Sequence, residues 1–228
     1  MAACLSRRTQ LDSLYGLYRP TGRSDSSQIR PRPLTTTTTD TRERILEAAE
    51  AVFADNGYHD AIVDEIGRRT SLSKGGLYFH FPSKEGLFFA VLDRLADRLV
   101  KKAERAAGKE ALALDRAEKA LRAVLTTLSR KRQLARLLMV QGYSMGNQFE
   151  RKRAEIFDRF ASVIEAELKD AVTNGETVRL DQVLTARIWL GAVNELVIHW
   201  LYEGGASPAQ RSDEIVSVLL DGVRARSA

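Results

Sequence analysis

From Asp40 onward, apolar residues recur at spacings of three and four, and no stretch alternates apolar with polar. That period fits helices and argues against half-buried strands, so an all-α fold is expected. Ile45, Ala48, Ala49, Val52 and Phe53 share one face of a first helix. Asp40 is its candidate N-cap, with Glu43 three residues on as in a capping box. Asn56-Gly57 is the candidate stop, because glycine accepts the left-handed conformation that ends many helices. Two short helices over 62–69 and 74–79 follow, joined by a turn at Ser71 to Ser73 with Ser73 as N-cap. Pro82 and Ser83 open a longer helix through Leu87, Val91, Leu95 and Leu99. Further helices are expected at 110–129, 133–144, 147–173, 181–203 and 207–225, the last started by Ser207-Pro208.

Composition narrows the classes. The chain has 228 residues, 44% of them hydrophobic, so a substantial core can form. There is no apolar run of about 18 residues to span a membrane. The first twenty residues lack the apolar centre of a secretory signal. The one cysteine, Cys4, excludes an internal disulfide and a cysteine-based zinc site. A reduced, cytoplasmic protein is the expectation. A net charge of +5 suits a polyanionic partner without proving one.

Three segments follow. Residues 1–38 carry three prolines, a threonine run and scattered arginine, without a period. They read as a disordered tail or a misassigned start, with a basic arm of Arg7, Arg8, Arg19, Arg23, Arg30 and Arg32 as the other reading. Residues 39–85 form a small three-helix head, and 86–228 a helical body.

The segment VDEIGRRTSLSKGGLYFHFPSKEGLF, 63–88, carries the chemistry. A helix that enters the major groove of DNA must be held by a second helix packed across it. Val63 and Ile66 supply the packing face of the supporting helix; Leu72, Leu77 and Phe81 supply that of the turn and the inserted helix. Lys74, Gly75, Tyr78 and His80 are then left exposed. Adjacent glycines, Gly75 and Gly76, cost about 1 kcal/mol each against alanine in a helix, which makes sense where the backbone must approach another surface. Ser73, Ser83 and Lys84 stand at helix starts, whose free N–H groups hold phosphates. Ser71, Ser73, Lys74 and Tyr78 are better placed for bases.

ILEAAEAVFADNGY at 45–58, the segment 63–88 and the spacing between them resemble the N-terminal signature of the TetR family of regulators. The resemblance is strong over about 41–90. It implies a homodimer in which the third helix reads the major groove while Tyr78 and Lys84 contact the backbone. Two departures are visible. Ala61-Ile62 lacks the hydroxyl usual before Val63, leaving Asp60 as a substitute cap, and Gly67 stands where the family favours alanine, which should weaken the second helix.

The body should then hold an effector pocket and the dimer interface. Apolar residues nearly surround 183–202, which suggests a helix buried on more than one side, and Ile215, Val218, Leu219 and Val223 stripe the last helix. These two helices are the expected dimer seam. Polar groups on otherwise apolar helices, namely Gln141, Tyr143, Asn147, Asn194, Glu195 and His199, are candidate pocket contacts, as are Met139, Phe160 and Trp189. Each has a plainer role in core or interface. Arg130, Lys131, Arg132 and Arg136 are candidates for the phosphates of an acyl-CoA, or simply a solvated helix end.

The reading that results is a DNA-binding regulator: a repressor on a palindromic operator, released by a lipophilic small molecule, with an acyl-CoA as one option. An architectural protein without effector and an activator are the alternatives. His59, His80 and His199 form no metal pair, and no nucleophile elbow or phosphate loop occurs, so no enzyme, metal or cofactor is expected.

Overall fold

The structure, a computed structural model, describes residues 34–141 and 145–225, with backbone alone for 34–39. The tail through residue 33, with its candidate arginine arm, lies outside the described residues, as does Tyr143; residues 34–38, expected in the tail, belong to the first helix instead. Nine helices run in order among the described residues: α1 Leu34–Asp60, α2 Val63–Thr70, α3 Lys74–His80, α4 Lys84–Ala107, α5 Ala113–Arg130, α6 Arg132–Met139, α7 Asn147–Thr173, α8 Gln182–Glu203 and α9 Ser212–Val216. None is long and apolar enough to cross a membrane. The architecture is all-α, with one isolated antiparallel bridge between Thr177 and Arg224.

Several helix ends correct the sequence reading. α1 begins at Leu34, so Asp40 lies inside the helix and does not cap it. Glu43 bonds Arg94 on α4 and does not close a capping box. Gly57 does break α1 as expected, its positive φ of 75° interrupting the helix, and a short helical piece continues to Asp60. The N-cap of α2 is Ile62, and no side chain bonds there; Asp60 does not replace the missing hydroxyl. Asp64 and Glu65 in its first turn partly compensate through the helix dipole. Ser207-Pro208 opens a separate turn, in which the Gln210 side-chain oxygen accepts the Ser207 N–H, and α9 starts later, at Ser212. It then widens into a π-helical turn over Ser217–Asp221.

Gly67 has a packing role. A β-carbon there would come within 3.0 Å of the Leu72 carbonyl oxygen, and the Leu72 N–H bonds the Gly67 carbonyl at 3.0 Å. The glycine lets the turn fold tightly against α2. Ser71 makes that turn in the left-handed conformation, with φ of 58°.

A continuous apolar core runs from Ile45, Val52 and Phe53 in α1 through Phe88 and Leu92 in α4 to Leu125, Ile156, Val197 and Leu220. Two ion-pair sets lock α4 into it. Arg94, only 12% exposed, reaches Glu43, Glu47 and Glu50 on α1, and Arg98 reaches Glu50 as well. On another side Asp93 pairs with Lys152 and Arg159 of α7, and Asp97 with Arg159. Charges at adjacent positions thus tie the one helix to the head and to the body. A distant cap completes the body: Glu176 accepts the N–H groups of Ala113 and Leu114 at 2.9 and 3.0 Å, at the start of α5.

Candidate functional site

The head presents α3 as a short rod on a rigid base. Ile66 in α2 and Leu77 in α3 are fully enclosed, and Phe81 closes the far end beneath the Arg42 guanidinium, 4.8 Å from its ring. Ser73 caps α3 by accepting the Gly76 N–H at 3.1 Å. Ser83 does the same for α4 with Gly86, at 2.9 Å. Both serine hydroxyls are therefore engaged in the fold, at two helix starts that face solvent.

Of the residues expected to meet DNA, Ser71, Ser73, Lys74, Gly75 and Ser83 are exposed. Gly76, Tyr78, His80 and Lys84 are half-buried. Lys74 makes a loose pair with Asp64 at 3.5 Å. The Lys84 ammonium donates to the His59 carbonyl at 2.8 Å and lies 5.0 Å from the Tyr58 ring centre. Burial pushes it below its ordinary pKa, and the Asp60 carboxylate offsets part of that. Lys84 thus joins the start of α4 to the end of α1.

Phe79 is the residue that sequence reasoning missed. It is 82% exposed on α3. One turn before it, Gly75 has open space where a β-carbon would sit. The two lie four apart, on one helical face. That spacing was the available signal.

The body holds a partly open apolar cavity of about 120 Å³ between α4, α5, α6, α7, α8 and the π-helical turn. Leu99, Val100 and Ala103 of α4, Leu121 and Val124 of α5, and Phe157, Val163 and Ile164 of α7 wall it. Four expected pocket residues, Met139, Phe160, Trp189 and Asn194, lie in this wall. His199 does not. It lines a separate groove with Leu196, Trp200 and Val218. The sequence alone could not separate the two faces of α8, because both are apolar. Gln141 sits against Gly57, with its side-chain oxygen buried and unbonded among the described residues. Asn147 and Glu195 are exposed. Arg132 is committed to the fold, bonding the carbonyls of Trp200 and Leu201 and stacking 4.8 Å from the Trp200 ring centre.

Two polar groups interrupt the cavity wall. Glu167 is paired with Arg116 at 2.8 Å. The Asn194 side-chain oxygen is buried without a partner among the described residues. An unmet buried acceptor costs about 1–3 kcal/mol, so a guest that donates a hydrogen bond there gains over bare hydrocarbon.

Within the single chain α8 is buried on one side only, where its composition suggested burial on more than one. Trp189, Val193, Val197 and Leu201 face the core, while Val183, Leu184, Ile188, Leu196 and Tyr202 are exposed, with Val218 beside them on the following turn.

An exposed helix-turn-helix head, joined by one long helix to a hollow helical body, defines a one-component DNA-binding regulator. Residues 45–91 match the bacterial regulatory proteins of the tetR family, and residues 110–223 match the tetracyclin repressor-like C-terminal domain. The chain belongs to the TetR family of transcriptional regulators. It is 29% identical over 193 residues to the HTH-type transcriptional regulator SrpR of Pseudomonas putida, covering 79% of this chain and 82% of that one. Its fold is similar to that of the fatty acid degradation regulator FadR from Bacillus halodurans, at TM-score 0.72 and 20% identity over 82% of this chain and 97% of the other. FadR from Bacillus subtilis, solved in complex with stearoyl-CoA, gives 0.71 and 21% over 80% and 99%. At such identities the two structures speak to the fold alone.

Proposed function

We propose that this regulator is a homodimeric repressor that binds a palindromic operator through α3 and is released by a lipophilic small molecule bearing an acyl chain. One observation carries the reading: α4 links the two sites. Its first residues, Ser83 and Lys84, abut the reading head, and its later residues Leu99, Val100 and Ala103 wall the cavity. The cavity is smaller than the roughly 300–1,000 Å³ of most ligand pockets, so a long chain enters by parting its walls. α4 is one of those walls. The ligand therefore has differential affinity for two body shapes, which a population shift requires. The stearoyl-CoA held by the Bacillus subtilis relative supports the acyl class.

The dimer reading rests on the exposed apolar face of α8 and the turn after α9. Two such protomers would pair as a four-helix seam and set two α3 helices about one turn of DNA apart. Swinging of α4 alters that spacing.

Selection of genomic fragments with the purified protein, sequenced at near-physiological salt, tests this. A palindrome lying across promoter elements is expected, and palmitoyl-CoA at constant salt should weaken its binding by about 5- to 150-fold. Enrichment without a motif, or affinity indifferent to every acyl compound, would defeat the proposal. A palindrome upstream of the promoter elements would make the protein an activator.

A further inference from the structure

We infer that the effector carries an anionic head group, bound in a second cleft by Arg98, Lys102 and Lys131, where it competes with Glu50 for Arg98. The inference rests on the reading above that a lipophile fills the apolar cavity. The cleft measures about 230 Å³ and lies between α4, the end of α5 and α6. Three cations line it and no carboxylate does. Leu99 and Leu128 stand in its wall and also in the wall of the apolar cavity. A molecule passing these two leucines places its tail in hydrocarbon and its head among cations.

The cations differ in their commitments. Lys102 and Lys131 have no ion pair or side-chain hydrogen bond among the described residues. Arg98 donates to both Glu50 oxygens, at 2.6 and 2.7 Å. Glu50 belongs to α1, so this pair fastens the cavity's wall helix to the head. Glu50 also accepts from Arg94 at 2.9 Å and stays paired when Arg98 turns away. An anion beside Lys102 and Lys131 draws Arg98 toward the cleft and loosens that fastening. By linkage, what weakens the Arg98–Glu50 pair must equally strengthen the anion's binding.

Tryptophan fluorescence offers the readout, since Trp189 lines the cavity. The full-length protein is titrated with palmitoyl-CoA, palmitate and hexadecanol below their aggregation limits. The anionic probes are expected to bind about tenfold tighter than the alcohol, as charge-assisted bonds would give. Lys102→Gln with Lys131→Gln should remove most of that advantage while leaving hexadecanol unchanged. This double variant spares the α1–α4 contacts, so a general loss of fold would show as loss of hexadecanol binding too. Glu50→Gln should tighten the anionic probes several-fold and not the alcohol. Preference for palmitoyl-CoA alone assigns the cleft to phosphates; equal binding of palmitate assigns it to a carboxylate. Equal affinity for all three probes overturns the head-group site and leaves the apolar cavity standing. Unchanged anion binding in Glu50→Gln overturns the competition. Binding of none, hexadecanol included, overturns the lipophile reading itself.

Discussion

Glu176 shows how much one side chain contributes to this body. The N-cap position of α5 is Leu112, which offers no side-chain acceptor. Glu176, 63 residues after Ala113, fills that role with both carboxylate oxygens. Burial alone would raise its pKa, but the N–H groups of Leu114 and Ala113, the Asn174 amide and Arg116 outweigh it and hold the carboxyl below its ordinary value. A depressed carboxyl stabilises fully above the unfolded value, and that contribution is lost as pH falls through the folded value. Glu176→Gln is therefore expected to cost about 1–2 kcal/mol near neutrality, the usual worth of a cap with charge-assisted bonds. Urea unfolding of both proteins across the acid range is the check. The gap between them should narrow on acidification, and a constant gap would show that charge plays no part.

At the scale of single elements, α3 separates what a helix needs from what DNA needs. Gly75 has ordinary helical geometry, and a β-carbon there would meet open space, so nothing in the protein demands a glycine. Gly75→Ala should leave the fold as stable or raise stability by up to about 1 kcal/mol, on helix propensity. The same methyl group would stand between the backbone and the groove. Operator affinity in a gel-shift titration is expected to fall about tenfold or more, a penalty of roughly 1.4 kcal/mol. Unchanged affinity would free Gly75 from any contact with DNA. The head could be read from sequence because its signals are local: the Ser73 and Ser83 caps, the Ser71 turn, and Leu77 and Phe81 as core positions all lie within a few residues of what they fix. Phe79 was not singled out, although it lies one turn after Gly75 on the same face. The cavity was legible only in part. Met139, Phe160, Trp189 and Asn194 were found by their type, but which face of α8 turns inward depends on the packing of α4, α5 and α7. The Glu176 cap and the Arg98 fastening join segments far apart in sequence, and no local period announces them.

For the whole molecule, the decisive question is what covers the outer face of α8. In the single chain Ile188 is 57% exposed, beside Leu184 and two helical turns before Leu196. A long apolar strip left in water is unfavourable at roughly 25 cal/mol per Å² of apolar surface, which a symmetric partner would recover. In the proposed dimer, symmetry also amplifies any error placed there, since each substitution would occur twice across a two-fold seam. Ile188→Glu does not disturb the buried face formed by Trp189, Val193 and Val197, so each protomer should keep its helical content by circular dichroism. The dimer should not survive, because two carboxylates would be desolvated in the same apolar seam at a cost of several kcal/mol. Sedimentation equilibrium is expected to give the protomer mass. Operator binding should fall by about two orders of magnitude or more, since a lone α3 reads only one half-site. A variant that sediments as a dimer would move the interface elsewhere. A monomer that still binds the full operator tightly would mean that the spacing between two reading heads does not control recognition, and the swing of α4 would then have nothing to regulate.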